Sequence, residues 1–220
     1  MESIINYNNA TVCRDKRIII KEINFKLLKG EFMLLSGGIG SGKSTFLKTV
    51  YADLPIESGT AEVLGFNINN ISKKEIPMLR RQIGMIFQDY LLFENKTVYD
   101  NLLFAIQSLE FKPDVDIRTH VLNTLAIAGI LFAADTFPHK LSGGERRCVA
   151  VARALVCNPL LILADEPTGN LDTENARRVA NVLKSCTANG TTVLTVSHDE
   201  SLFSPLADKV AKIENGIFLV

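Results

Sequence analysis

Gly37-Gly38-Ile39-Gly40-Ser41-Gly42-Lys43-Ser44-Thr45 is the stretch whose reading decides the fold of this 220-residue chain. It follows the pattern G-x-x-x-x-G-K-S of a loop that wraps the phosphates of a nucleoside triphosphate. The flanks agree with that reading. Phe32 to Ser36 is an apolar run of strand length, and from Phe46 apolar residues recur at helical spacing. A strand therefore feeds a glycine-rich turn that opens a helix. Glycines let the backbone close on a polyphosphate in conformations that a side chain forbids. Loop N–H groups and the positive end of the helix dipole then face the anion. Lys43 is expected to reach the β- and γ-phosphates, and the Ser44 hydroxyl to ligate Mg²⁺.

A second motif completes the first. Leu160 to Ala164 is a continuous apolar run followed at once by Asp165-Glu166, as in a parallel strand buried on both faces. In doubly wound α/β folds ligands gather at the carboxyl ends of such strands. Asp165 is expected to hold Mg²⁺ beside Ser44, and Glu166 to polarise the water that attacks the γ-phosphate. Gln88 and His198 also end predicted strands, Ile83 to Phe87 and Thr191 to Ser197. An amide there can ligate Mg²⁺ or position water, and an imidazole can donate to the γ-phosphate.

Leu141-Ser142-Gly143-Gly144-Glu145, just before a helical stretch from Arg146 to Val156, is a second anion cradle. One nucleotide needs one phosphate loop. A second cradle makes sense if Ser142, Gly143 and Gly144 close on the nucleotide held by another copy of the chain.

The rest of the chain reads as one α/β domain. Short β-rich pieces at Ser3–Tyr7, Arg17–Ile20 and Ile23–Leu28 predict an N-terminal antiparallel layer. Ala61 to Asn67 adds a strand, and Ser72 is placed to cap a helix running toward Arg81. Between Asp89 and His139 the pattern turns helical, over Val98–Ser108 and Asp116–Ile130, which predicts an inserted helical subdomain. The expected division is 1–88 and 146–220 for the nucleotide-binding core and 89–145 for the insertion. Glu174 to Cys186 is helical, and Asn215-Gly216 makes a last turn. Tyr7 is available to stack on a purine, although a core tyrosine is the commoner fate.

Composition narrows the function classes. Lys plus Arg equals Asp plus Glu, 24 each, so no global field recruits nucleic acid or an anionic membrane. No apolar run approaches the roughly 20 residues that span a bilayer, and Met1-Glu2-Ser3 lacks the layout of a secretory signal. Cys13, Cys148, Cys157 and Cys186 have no paired spacing, which suits reduced thiols rather than a metal site. These features predict a cytoplasmic protein able to dock on a membrane partner.

With these motifs in this order, the sequence resembles the ATP-binding cassette (ABC) ATPases over nearly its whole length. The Leu-Ser-Gly-Gly-Glu signature discriminates, since phosphate loops occur in many NTPases. The resemblance implies a P-loop NTPase with a RecA-like core, ATP and Mg²⁺ as ligands, and Gly37 to Thr45 as Walker A. It makes Leu160 to Asp165 Walker B, Glu166 the catalytic glutamate, Gln88 the Q-loop glutamine and His198 the switch histidine. It also puts Asp172, in the D-loop Asn170-Leu171-Asp172, at the nucleotide. Head-to-tail homodimers with two sandwiched ATP molecules follow from it, as does an integral membrane permease-like partner. Arg80 to Asp89, Lys96 to Asn101 and Ala164 to Asp172 resemble the FtsE/LolD/MacB-like group, and Lys96 to Asn101 points to its cell-division branch with an FtsX-like partner. Tyr90-Leu91-Leu92-Phe93 falls where such ATPases form the groove that receives a coupling helix.

Three readings remain: a membrane-coupled ATPase of cell division or of lipoprotein or drug export, a slowly hydrolysing ATP-gated dimerisation module, and a soluble ABC protein of repair or translation. The last is disfavoured, because the chain has room for neither coiled-coil arms nor a second cassette. Ile39 stands where the family has a small polar residue, Arg14 near its adenine-stacking aromatic, and Cys148 at a usual arginine.

Overall fold

The computed structural model describes residues 2–15 and 17–220. Ten strands form one sheet: β1 (Ser3–Arg14), β2 (Arg17–Leu28), β3 (Phe32–Gly37), β4 (Ser58–Val63), β5 (Phe66–Asn67), β6 (Ile83–Ile86), β7 (Leu161–Asp165), β8 (Thr192–Val196), β9 (Lys209–Glu214) and β10 (Ile217–Leu219). Their order is β5-β4-β1-β2-β10-β9-β3-β8-β7-β6. One half, β5-β4-β1-β2, is antiparallel. The other half, β9-β3-β8-β7-β6, is parallel. The hairpin β9-β10 joins them through one parallel pairing of Ile217 with Lys21. The expected antiparallel layer is thus an extension of the main sheet.

Alternation along the parallel strands supplies two cores. Met33 and Leu35, Leu161 and Leu163, and Leu194 and Val196 face one side. Phe32 and Leu34, Ile162 and Ala164, and Val193 face the other. Successive side chains of a strand point to opposite faces, so a strand buried on both reads as a continuous apolar run. Helix α1 (Lys43–Val50) fills the first side, where the antiparallel layer curls over it. Its Phe46 packs with Tyr7, Phe25 and Phe218 at ring separations of 5.3–5.5 Å.

On the second side lie α3 (Val98–Ser108), α4 (Ile117–Ile127), α5 (Gly143–Leu155) and α6 (Thr173–Ala188), with their apolar faces in one cluster. The short α2 (Glu75–Arg80) precedes β6, and α7 (Glu200–Phe203) follows β8. Thr97, Asp116, Ser142 and Asp172 each accept a hydrogen bond from the backbone three residues on, which starts α3 to α6. Ser72 and Glu75 exchange bonds of the same kind one turn before α2.

Expectations for three elements need correction. Ala61–Asn67 is not one strand: Leu64 and Gly65 turn the chain at positive φ, 51° and 79°, and β5 pairs back antiparallel on β4. The pieces at Ser3–Tyr7, Arg17–Ile20 and Ile23–Leu28 belong to two twelve-residue strands, β1 and β2. Asn9 and Glu22 take positive φ, 48° and 55°, and produce bulges that hide the continuity. Asn24 bridges the break, its Oδ1 accepting from the Asn9 N–H at 2.8 Å and its Nδ2 donating to the Glu22 carbonyl at 2.9 Å. The predicted helix from Arg146 begins three residues earlier, because Ser142 and Glu145 form a reciprocal cap.

Candidate nucleotide site

The parallel register decides which residues meet. Leu35 pairs with Val196, Val196 with Asp165, and Ala164 with Ile86. The chain leaving those four strands at one edge carries Gly37, His198, Asp165-Glu166 and Gln88. All of them line one cleft of about 830 Å³, together with Gly38, Ile39, Gly40, Lys43 and Ser44.

The loop is built for close approach. At Gly37 (φ 146°) a Cβ would lie 2.5 Å from the Ile213 carbonyl oxygen and 2.8 Å from Ser41 Oγ. Lys43 is buried, and its Nζ donates to the carbonyls of Gly37 and Gly38 at 2.7 and 2.9 Å. Its charge therefore rests on neutral carbonyls rather than on a carboxylate, which suits a site that takes an anion.

Asp165 is pushed above the usual carboxylate range, mainly by burial and further by Glu166, while the Ser44 hydroxyl and the charges of Lys43 and Lys48 hold it down. A hard cation would relieve that burial cost, and a serine hydroxyl beside a carboxylate is an oxygen donor pair suited to Mg²⁺. Among the described residues no group of three or more His, Cys, Asp or Glu side chains could hold a metal alone. The donors present fit an ion shared with phosphate oxygens.

Glu166 follows β7 in a left-handed backbone conformation, φ 48°. Its N–H bonds to the Val196 carbonyl at 2.9 Å. Its Oε2 accepts from Ser197 Oγ at 3.3 Å and lies 2.9 Å from His198 Nδ1. A neutral imidazole donating from Nδ1 satisfies that contact. Both bonds fall on Oε2, so neither uses Oε1. Ser197 is fully buried and also accepts from the Asp199 N–H at 3.1 Å, tying the turn after β8 to the carboxylate.

Several expected residues lie elsewhere. Ser142 and Gly143 are exposed at the start of α5, and neither they nor Gly144 and Asp172 line this cleft. Asp172 caps α6, and its Oδ2 accepts from Asn175 Nδ2 at 2.6 Å. A Cβ on Gly144 would come within 3.1 Å of that same amide nitrogen. Ser41 lines a neighbouring cavity of about 530 Å³ with Ile18, Ile19, Ile39 and Asn215. Gly42 and Thr45 line neither cavity. Tyr7 is buried in the aromatic cluster with its hydroxyl 2.9 Å from Thr49 Oγ1, so it offers no face to a base. Arg14 has an exposed side chain 3.9 Å from Asp15.

Sequence reasoning missed Arg147, Thr168, Ser197 and Asp199. Ser197 sits one residue before His198, at the strand end that already marked the site. Nothing in the local pattern marked Arg147, which reaches the cleft from α5.

A third cavity of about 390 Å³ opens on the other side of the segment after β6, lined by Met85, Phe87, Leu91, Phe93, Phe104 and Leu109, among others. The Phe93 and Phe104 rings meet edge to face at 4.6 Å. Leu92 packs into the inner core instead, and Tyr90 lies beneath Arg147. The apolar stretch Tyr90–Phe93 is thus divided between core and groove.

The ABC transporter family profile matches residues 20–169. The cell division ATP-binding protein FtsE of Streptococcus pneumoniae is 38% identical over 210 residues, 96% of this chain and 88% of that protein. FtsE of Mycobacterium tuberculosis is 41% identical over 202 residues, 91% and 86% of the two chains. The ATP-binding cassette MJ0796, solved as a dimer in a post-hydrolysis state with ADP and Pi, superposes with a TM-score of 0.85 at 29% identity, covering 97% of this chain and 95% of that one.

Proposed function

This chain belongs to the ABC transporter family, and from that premise we propose that it is the ATP-hydrolysing subunit of a cell-division complex, coupled to an FtsX-like permease in the membrane. The observation that carries the hydrolytic reading is Glu166 held by His198 at 2.9 Å in the cleft that Lys43 and Ser44 also line. Lys43 exchanges its loop carbonyls for β- and γ-phosphate oxygens. Glu166 accepts a proton from the attacking water in line with the γ-phosphate, and His198 orients Glu166 through Nδ1 and donates to the γ-phosphate. Ser44 and Asp165, with Gln88, would hold Mg²⁺, which when bound supplies charge neutralisation across the β- and γ-phosphates.

Ser142, Gly143 and Gly144 serve the nucleotide of a second copy, and so does Asp172. Ser142, Gly143 and Asp172 are exposed, Gly144 is half-buried beside them, and none of the four lines the cleft of its own chain, which supports that reading. The groove between Phe87 and Leu109 receives an apolar segment of the permease. Among the described residues no helix is long and apolar enough to cross a membrane, which fits a subunit held at the cytoplasmic face by its partner. We divide the chain functionally into 1–88 and 146–220 as the nucleotide core, with 89–145 as the helical part that meets the permease.

The test is a cross-linked pull-down of tagged Glu166→Gln protein with ATP from membranes of its source. The reading predicts a permease with a large extracytoplasmic loop and a link to wall hydrolases. A lipoprotein-release or efflux permease, or no membrane protein at all, counts against the cell-division assignment.

A further inference from the structure

Arg147 is 2% exposed, yet its side chain lines the nucleotide cleft. One guanidinium nitrogen donates to the Phe87 carbonyl at 2.6 Å and the other to the Gln88 carbonyl at 2.7 Å. Its carbon lies 4.9 Å above the Tyr90 ring. Tyr90 in turn reaches the start of α5, where its hydroxyl would sit 3.1 Å from a Cβ on Gly143. Further along α5, Arg153 donates to the carbonyls of Tyr90 and Leu91. Two arginines of one helix therefore hold four carbonyls in the five-residue segment that leaves β6.

This clamp is unusual in its charge. Among the described residues no carboxylate forms a salt bridge with Arg147, and its Nε is buried without a partner. Burial lowers its pKa below the usual guanidinium value, while Tyr90 and Asp89 oppose that shift. A buried charge held by carbonyls and a ring face, with no carboxylate bonded to it, costs stability. Replacing it with an apolar side chain of similar length would relieve that cost, so its placement beside the cleft calls for a functional account.

We propose that Arg147 is the positioning residue of this ATPase. By gripping the Phe87 and Gln88 carbonyls it fixes the backbone from which the Gln88 amide enters the cleft. It also makes that segment and the Ser142 end of α5 a single moving part. Occupancy of the cleft then reaches the exposed cradle through one side chain. The inference rests on the role proposed above for Gln88. A lysine keeps the charge but lacks the planar pair of donors that engages two successive carbonyls.

The experiment is a double-mutant cycle in the full chain with Arg147→Lys and Gln88→Ala, reading kcat, KM and the Kd of a fluorescent ATP analogue. Arg147→Lys should lower kcat by about tenfold, with Kd changed less than about threefold, because misplacement harms turnover more than binding. In the Gln88→Ala background the same substitution should cost little more. If the two losses multiply, Arg147 acts apart from Gln88 and the proposal is overturned while the Gln88 assignment stands. If Gln88→Ala turns over normally, the Gln88 assignment fails and this proposal fails with it. Should Arg147→Lys not fold, Arg147→Gln replaces it in the same cycle, with the same outcomes decisive.

Discussion

Glu166 takes a backbone conformation that costs a non-glycine residue of order 1 kcal/mol, at φ 48° immediately after β7. The structure holds it there by the Val196 carbonyl, Ser197 Oγ and His198 Nδ1. Ser197 is the least obvious of these supports, and it predicts a graded effect. Ser197→Ala should lower kcat by about three- to tenfold, with nucleotide affinity nearly unchanged, since it loosens a group that acts in the transition state. Steady-state kinetics checks this, and an increase in KM with normal kcat would contradict it. At this scale the motifs were highly legible. Lys43, Ser44, Asp165, Glu166, Gln88 and His198 all converge, because each ends a strand or opens a helix at one sheet edge. Tyr7 could not be resolved from sequence, since a buried and a base-stacking tyrosine occupy the same kind of β-rich stretch. Only packing against Phe25 and Phe46 decides between them.

Elements are set by how closely they approach one another. Helix α5 crosses β6 so closely that a Cβ on Gly84 would overlap the Ala154 carbonyl. Backbone cannot yield as a flexible side chain does, so Gly84→Ala must push α5 away from the sheet. We expect a loss of about 2 kcal/mol, or roughly 4–8 °C in Tm for a chain of this size. A calorimetric Tm within about 1 °C of the parent would contradict the close packing. The same contact explains a limit of sequence reading. Gly84 reads as one residue of an apolar strand, and its need for the helix backbone is a long-range fact. The antiparallel layer shows a second limit, because Asn8-Asn9 and Glu22 interrupt the apolar alternation while the ladder continues through bulges.

At the level of the molecule, the curled sheet puts the nucleotide cleft and the apolar groove on either side of the segment after β6. Cys157 lines the groove. Burial raises its thiol to about 11, and that of Cys186 likewise to about 11. A folded pKa above the ordinary value of about 8.5 has a defined sign: the stability these thiols contribute is present below about pH 8.5 and is lost as pH rises through about 11. Alkylation of Cys157 should therefore accelerate about tenfold per pH unit from pH 8 to 10, as the thiolate fraction grows. If a permease segment docks in the groove as proposed above, the complex should block it. Mass spectrometry of iodoacetamide-treated protein, free and in complex, checks both effects. A rate that levels off below pH 9, or full labelling in the complex, would count against burial or docking respectively. The α/β architecture was legible in the alternation of strand and helix patterns. The joining of its two halves through Lys21 and Ile217 was not, since one pairing between distant residues leaves no local mark.

The central claim is that one carboxylate, Glu166, drives hydrolysis within a nucleotide sandwich completed by a second copy. It is tested most directly by Glu166→Gln, measured for turnover and for molar mass by light scattering with ATP and Mg²⁺. Removal of the general base should lower kcat at least about 100-fold. ATP should then hold the variant as a stable dimer, which the added substitution Ser142→Arg should return to monomers that still bind nucleotide. Normal turnover, or a dimer that survives Ser142→Arg, would contradict the account.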